Sequence, residues 1–259
     1  ADGFSARDIH HVTFDGHVRI GANCRMANIG ILRTTDGATY GEGITISVLN
    51  EGGDGNLVFF RHLTSQLAAL MVRNCHDDAF WHNMCEMIYR EVSTTRPSCT
   101  TIGDGVTIAD TRELTNVVVG NDCEITGAAR LVDCTLQSTS EASILISDGV
   151  ICDNCIIQAG ASVTDFAKLY NTFVGEACHI GRGFTSENSA FFANSHMDNG
   201  ESCAALCGPF SVSHHKSTLL IGGEYSFFNA GSGTNFSNHA YKMGPIHWGV
   251  MMRGSKTAS

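Results

Sequence analysis

Positive charge is scarce in this sequence. Its 259 residues include only 16 lysines and arginines against 26 aspartates and glutamates, which gives a formal net charge of −10 at pH 7. A surface this acidic repels phosphate backbones and anionic lipid headgroups at long range. We therefore expect no nucleic acid and no membrane among its partners.

Long apolar runs and a secretory leader are also absent. The sequence has no stretch of 18 consecutive apolar residues, the length that a membrane-spanning helix needs. Its first residues, ADGFSARD, lack the basic start and apolar centre of a signal peptide and do not begin with Met. We expect an ordered globular protein that is processed or is a fragment of a longer one.

The eleven cysteines do not indicate a disulfide framework. Their number is odd, and several of them take one small interior position of the repeat described next. A thiol at such a position packs as a small hydrophobe. We therefore expect reduced cysteines and a cytoplasmic location.

Six-residue units recur along the chain. Each begins with an aliphatic residue, often followed by glycine, and has a small or apolar residue at its fifth position. Examples are residues 20–24, 102–106, 119–123, 174–178 and 180–184. Short repeats of this kind are typical of a parallel β-helix.

A longer period of 17 residues joins these units into coils. It separates six aliphatic pairs, which are Ile102 and Val119, Ile108 and Ile125, Leu114 and Leu131, Ile146 and Val163, Ile157 and Val174, and Val163 and Ile180. Stacked coils of three sides would bury these residues in one continuous core.

The hexapeptide pattern resembles the left-handed β-helix family, and that resemblance implies left-handed winding, an exception to the usual handedness of parallel crossovers. We predict an all-β solenoid, a left-handed parallel β-helix, that forms a single domain over residues 1–259.

Two segments interrupt the period. Residues 57–92 have helical spacing, and Asp77 and Asp78 are placed to start the second of two helices. We expect this helical hairpin, entered through the glycine-rich linker 51–55, to pack its apolar face against the first coils rather than to serve as a lid. The apolar face comprises Phe60, Leu63, Leu67, Phe80, Trp81 and Ile88. Residues 137–143 have turn chemistry and predict a small loop.

Metal-binding patterns are weak in this sequence. Cys152 and Cys155 form a lone CxxC without a second pair at matching spacing, so we interpret both as interior residues of the repeat. Some left-handed β-helix trimers resemble the γ-class carbonic anhydrases, but the close histidine pair of that class is not found here. We interpret scattered histidines such as His179 and His196 as structural and expect no metal.

The C-terminal part contains the densest cluster of chemically capable groups. His215 is followed by Asn229-Ala-Gly-Ser-Gly-Thr234 and then by Asn238. This spacing resembles the acetyltransferase domain of the bacterial bifunctional N-acetylglucosamine-1-phosphate uridylyltransferases, and the detailed resemblance covers about residues 205–259. The lysine that precedes the catalytic histidine in that family falls on Cys203 here, so recognition of a phosphorylated sugar is not carried over.

The resemblance implies a role for each matching residue. His215 and Asn229 would be catalytic, and Asn238, His239 and Lys242 would bind the substrate. Ser232, Gly233 and Ser255 would lie near the arm of coenzyme A. The first expectation is therefore an acyl-CoA-dependent acyltransferase, acting on a sugar or nucleotide sugar as a homotrimer.

Histidine suits the base role because its unperturbed pKa is near neutral, while asparagine side chains and glycine N–H groups can stabilise an oxyanion without charge. A competing expectation is a non-catalytic trimeric scaffold or regulatory module, and a γ-carbonic-anhydrase-like zinc site is a weaker one. The whole chain also resembles a group of larger, uncharacterised bacterial β-helix proteins without an assigned reaction.

Overall fold

The predicted aliphatic columns are parallel β-ladders in a computed structural model of the protein, which describes residues 8–237 and 246–249. All six aliphatic pairs expected from the period of 17 are direct partners on neighbouring parallel strands. The side chains of these pairs are buried. The periodicity therefore predicted both the direction of the strands and their register.

The described elements run in this order along the chain: β1 (Ile9–Asp15), β2 (Val18–Ile20), β3 (Arg25–Arg33), β4 (Thr45–Asn50), β5 (Asp54–Val58), α1 (Ser65–Arg73), α2 (Asp78–Thr95), β6 (Thr100–Ile102), β7 (Thr107–Ala109), β8 (Glu113–Val119), β9 (Glu124–Thr126), β10 (Arg130–Leu136), β11 (Leu145–Ser147), β12 (Ile151–Ile157), β13 (Ser162–Val163), β14 (Lys168–Val174), β15 (His179–Gly181), β16 (Thr185–Phe191), β17 (His196–Asp198), β18 (Glu201–Cys207), β19 (Val212–Ser213), β20 (Leu219–Ser226), β21 (Asn229–Ala230), β22 (Asn235–Ser237) and β23 (Ile246–Gly249).

From β7 to β21, short and long strands alternate along the chain and stack separately. The long strands β8, β10, β12, β14, β16, β18 and β20 pair with one another in parallel. The short strands β7, β9, β11, β13, β15, β17, β19 and β21 form a second parallel ladder. Inward side chains from both ladders form one core cluster, so the arrangement is β-helix-like.

A residue in the left-handed backbone conformation interrupts each of five consecutive long strands. Asn116, Asp133, Asn154, Asn171 and Asn188 have φ between 46° and 54°. Asparagine and aspartate tolerate this conformation better than other residues with a side chain, and strand pairing skips each of these positions. The Asn171 side-chain amide also donates to Asn188 Oδ1 at 3.0 Å, so the column is linked by side chains as well as by backbone.

The loop predicted at residues 137–143 is confirmed. Leu131 pairs with Cys152 across it, rather than with a residue 17 positions away, and strand pairing resumes at the usual spacing on both sides. The extra residues leave the stack without disturbing the core.

The insertion predicted at residues 57–92 is longer than expected. The chain leaves the parallel sheet after Arg33 and returns at Thr100, whose Oγ1 donates to the Arg33 carbonyl at 2.7 Å. The first regular element of the insertion is an antiparallel hairpin of β4 and β5, and the glycine-rich segment 51–55, expected to be a linker, forms the turn of this hairpin and the first two residues of β5. The two predicted helices follow, and Asp77 caps the second by accepting from two backbone N–H groups.

The expected position of the insertion is wrong. Its β-hairpin and helices pack not on the first coils but on the outward side of β12, β14, β16 and β18, where Ile156, Phe173, Ala190 and Leu206 form an apolar column in strand register. This column would otherwise be an exposed apolar stripe, which explains why the insertion covers it. Trp81 is only partly buried at the edge of the same cluster.

Two further expectations concern cysteines and membrane segments. All eleven cysteines are free, and Cys152 and Cys155 lie inside the core as predicted. Neither helix in the described ranges is long and apolar enough to cross a membrane.

Candidate functional site

The predicted catalytic region lies at the turns next to β19 and β21. His215 belongs to the turn between β19 and β20, and Asn229 begins β21. Because Val212 pairs with Asn229 and Ser213 with Ala230, the turn that contains Ser232 and Gly233 stacks on the turn that contains His215. His215 is half-buried, whereas Asn229, Ser232 and Gly233 are exposed.

A hydrogen bond joins these two turns, and a second one closes the turn of His215. The Gly233 N–H donates to Ser217 Oγ at 2.9 Å, and the Thr218 N–H donates to the His215 carbonyl at 3.1 Å. The rings of His214 and His215 are in contact, with centroids 4.4 Å apart and an interplanar angle of 42°. Within the described ranges, no hydrogen bond or ion pair joins the His215 ring to a carboxylate that would orient it.

Four of the predicted site residues lie outside the described residues. They are Asn238, His239, Lys242 and Ser255. The structure therefore places the turns of His215 and of Ser232 and Gly233 next to each other, and Asn229 begins the strand that leads into the second turn.

A second cluster, which the sequence reasoning missed, lies two coils before Asn229 on the same ladder. The strands β15 and β17 pair so that His179 lies directly beside His196 and Gly181 beside Asp198. The two imidazole rings meet edge to face with centroids 4.5 Å apart. Two histidines that seemed isolated in the sequence are thus neighbours in space.

Asp198 holds this cluster together. Its carboxylate is 3% exposed, yet it lies 3.3 Å from His179 Nε2 and 3.0 Å from His196 Nε2. Arg182 Nε approaches the same carboxylate at 3.4 Å. On the other side, His179 Nδ1 is hydrogen-bonded to Ser162 Oγ at 2.8 Å, which orients the imidazole ring.

Gly181 leaves a small space at the centre of the cluster. A Cβ atom there would lie 2.9 Å from Asp198 Oδ1, 3.0 Å from Thr164 Oγ1 and 3.1 Å from His179 Nε2. Three polar atoms therefore converge on the volume that the missing side chain leaves open.

The signal that could have found this cluster was present in the sequence. His179 and His196 are 17 residues apart, which is one coil period, and Asp198 follows on the same strand, with its side chain on the same face as that of His196. Treating each histidine separately concealed that relation.

The remaining candidate clusters are less well suited to chemistry. Asp54, Cys75 and His76 lie close together on the insertion, but the His76 side chain is mostly exposed and pairs with Asp54 at 2.9 Å. In the core, burial raises the pKa of the Cys155 thiol well above its ordinary value, which disfavours the thiolate that a metal needs.

Comparison with known proteins gives a family but no activity. The model described as "Domain of unknown function (DUF4954)" matches residues 1–259. An uncharacterised protein of Treponema pallidum (strain Nichols) is 29% identical over 226 residues, which cover 82% of this chain and 31% of that protein. The chain thus spans about a third of that relative's length.

No hexapeptide-repeat or acetyltransferase family matches the chain, and no solved structure matches it. Since the family model covers every residue, the chain belongs to the family described as Domain of unknown function (DUF4954).

Proposed function

We propose that this chain carries an acyl-CoA-dependent acyltransferase site that acts on a hydroxyl or amine of a sugar or nucleotide sugar. The observation that supports it is the register of β19 and β21, which stacks the glycine turn of Ser232 and Gly233 on the turn of His215. Thioester attack requires a base and preorganised N–H donors in one place.

In the proposed reaction, His215 removes the proton from the acceptor as its oxygen or nitrogen attacks the thioester carbonyl. The new acyl bond forms, the carbon–sulfur bond breaks, and the proton passes from His215 to the departing thiolate of coenzyme A. Asn229 positions the acceptor, and Asn238, His239 and Lys242 complete its binding site. Ser255 lies along the arm of coenzyme A.

The glycine turn would supply the donor to the oxyanion. The Gly233 N–H already donates to Ser217 Oγ and the Thr234 N–H to the Gly231 carbonyl, so these two groups hold the turn in shape. We assign the oxyanion contact to the backbone N–H of Ser232, an exposed residue of the same turn.

The same proposal includes the finer features of the fold and the assembly. We propose that the two ladders close as a β-helix, because both contribute to one core cluster, and that it winds left-handed, as the resemblance to the left-handed β-helix family implies. We also propose a homotrimer, in which neighbouring copies complete the site, and a cytoplasmic location, which the eleven free cysteines support.

The test is turnover of acetyl-CoA by the full-length protein in the presence of a panel of sugars and nucleotide sugars, with release of coenzyme A and acylated product followed by mass spectrometry. We expect His215→Ala to lower the rate by roughly 10²–10⁴. His214→Ala is the matched control and should retain activity. Equal, near-wild-type rates for the two variants would exclude the mechanism.

A scaffold function is the second candidate, and one observation favours it. The insertion covers the apolar column of Ile156, Phe173, Ala190 and Leu206 with the chain's own residues. This is expected for a structural module in which the chain itself fills an apolar side. A scaffold would show no thermal shift with any acyl-CoA thioester while remaining oligomeric in sedimentation.

A further inference from the structure

We propose that His179, His196 and Asp198 bind one divalent transition-metal ion of the zinc class. Nothing in the acyltransferase proposal requires this site, and it departs from the expectation of no metal drawn from the sequence. One ligand atom from each residue can be chosen so that all three lie within 4.8 Å of one another.

The distances in the cluster suit a tetrahedral ion. His179 Nε2 and His196 Nε2 lie 3.3 Å and 3.0 Å from the two oxygens of Asp198. Ligand atoms about 2.0–2.1 Å from a tetrahedral zinc are themselves about 3.3 Å apart. The side chains of His179 and His196 are 38% and 46% exposed, which leaves the imidazole rings room to rotate toward one ion.

An independent observation also indicates a ligand. Asp198 Oδ1 is buried but has no hydrogen-bond partner of good geometry among the described residues. Burying a carboxylate oxygen is costly unless it is paired or coordinates a metal. This oxygen lies 3.3 Å from His179 Nε2 and faces the space left by Gly181, on which His179 Nε2 and Thr164 Oγ1 also converge.

The surroundings of His179 favour ligation through Nε2. Its Nδ1 is hydrogen-bonded to Ser162 Oγ, so a proton on Nδ1 can be donated to this hydroxyl while Nε2 keeps its lone pair for the metal. Metal-binding histidines commonly have such a partner on the second ring nitrogen, because it fixes both the tautomer and the ring orientation.

Arg182 is the charged group that opposes cation binding. Its Nε lies 3.4 Å from Asp198 Oδ2, where it competes with a metal for the carboxylate. Its side chain is 68% exposed, so it can turn toward solvent when an ion binds. We therefore expect Arg182→Ala to raise the metal affinity.

The donor set also restricts the kind of ion. Two imidazole nitrogens and one carboxylate oxygen suit zinc, cobalt, nickel or copper better than magnesium or calcium, which prefer oxygen ligands. Three protein ligands leave a fourth tetrahedral position open to water, the arrangement of catalytic rather than structural zinc sites. The half-exposed imidazole rings make that position accessible from solvent.

The experiment is titration of the metal-free full-length protein with cobalt(II), followed through its visible d–d absorption, and then competition by zinc. We expect one tightly bound ion per chain with a tetrahedral spectrum. His179→Ala, His196→Ala and Asp198→Asn should each weaken binding more than tenfold. His76→Ala and His215→Ala are the matched controls and should leave the spectrum unchanged.

Gly181→Ala separates metal binding from folding. Its Cβ would occupy the space between the three polar atoms, so the variant should remain folded by circular dichroism and lose the cobalt spectrum. A wild-type protein without a tetrahedral spectrum would overturn the proposal. So would variants of His179 and His196 that bind cobalt as the wild type does. Because the readout is binding, its outcome is independent of acyltransferase activity.

Discussion

Phe59 of the insertion packs against Phe173 of β14, with ring centroids 5.9 Å apart and an interplanar angle of 51°. Phe173 points away from the core between the ladders, yet its side chain is fully buried because the insertion covers it. The insertion and the parallel sheet thus share a second apolar core on the outer side of the long strands.

Phe173→Ala tests how tightly the insertion is attached. Removing a buried phenylalanine typically costs about 3–5 kcal/mol through lost burial and the cavity that remains. We expect a loss of this size in the free energy of unfolding, measured by urea denaturation. Tyr170→Ala on the same strand is the control, since Tyr170 is 37% exposed and should cost much less. Equal losses would show that the insertion does not depend on this contact.

A buried ion pair joins the segments on either side of the hairpin of β4 and β5. Arg61 contacts both oxygens of Glu42, with Nε at 2.8 Å and Nη2 at 2.7 Å, and the Glu42 side chain is fully buried. The hydrogen bond to Glu42 is the largest cause of the raised pKa of Arg61. Arg96 Nη2 adds a hydrogen bond to the Glu42 carbonyl at 3.2 Å.

Arg61→Met should therefore be strongly destabilising. It leaves a buried carboxylate without its partner, a change that costs about 3–5 kcal/mol in comparable sites. The double variant Glu42→Gln with Arg61→Met should recover part of that loss, because the uncompensated charge is gone. Urea unfolding of the four proteins gives the coupling energy, and strictly additive losses would contradict a direct pair.

The aliphatic columns could be predicted because a parallel stack repeats the same environment at each coil. Ile102 and Val119, one period apart, therefore occupy equivalent buried positions on neighbouring strands. The insertion could be predicted only in part. Its helices show 3.6-residue spacing, whereas the hairpin of β4 and β5 is too short to separate from a turn-rich linker. Its docking position required the outward column of Phe173 and its neighbours, whose burial depends on the insertion itself.

The candidate sites differ in the same way. The spacing from His215 to the glycine turn could be read from the chain, but the Gly233–Ser217 hydrogen bond depends on the stacking of two coils. The pairing of His179 with His196 follows from the coil period alone. The burial of Asp198 does not follow from the period, because it depends on the packing of the Asp198 side chain against Gly181 on the neighbouring strand.

Ala204 provides a test of the left-handed column. It follows Asn188 at the corresponding position of the next long strand and has φ 50°. Alanine in this conformation is strained by roughly 1 kcal/mol, and glycine is not. We expect Ala204→Gly to leave stability unchanged or raise it by up to about 1 kcal/mol. Ala205→Gly, one residue later at an ordinary backbone position, should destabilise the protein, and thermal unfolding of both variants measures the difference.

Buried thiols predict a loss of stability at alkaline pH. Burial raises the pKa of Cys178 from its ordinary value of 9.0 to about 12, and it does the same for Cys123. The folded state keeps these thiols protonated, whereas the unfolded chain ionises them above about pH 9. Their contribution is fully present below pH 9 and is lost as pH rises toward 12, with a slope of up to about 1.4 kcal/mol per pH unit for each thiol.

Cys178→Ala should therefore be less sensitive to alkali than the wild type. We expect the free energy of unfolding, measured with urea under reducing conditions at about pH 8 and about pH 10.5, to fall less between the two pH values in this variant. Val150→Ala is the matched control because it also truncates a fully buried core side chain but removes no titratable group. It should lower stability by the same amount at both pH values. If Cys178→Ala shows the wild-type pH dependence, the thiol is ionised as easily in the folded state as in the unfolded chain.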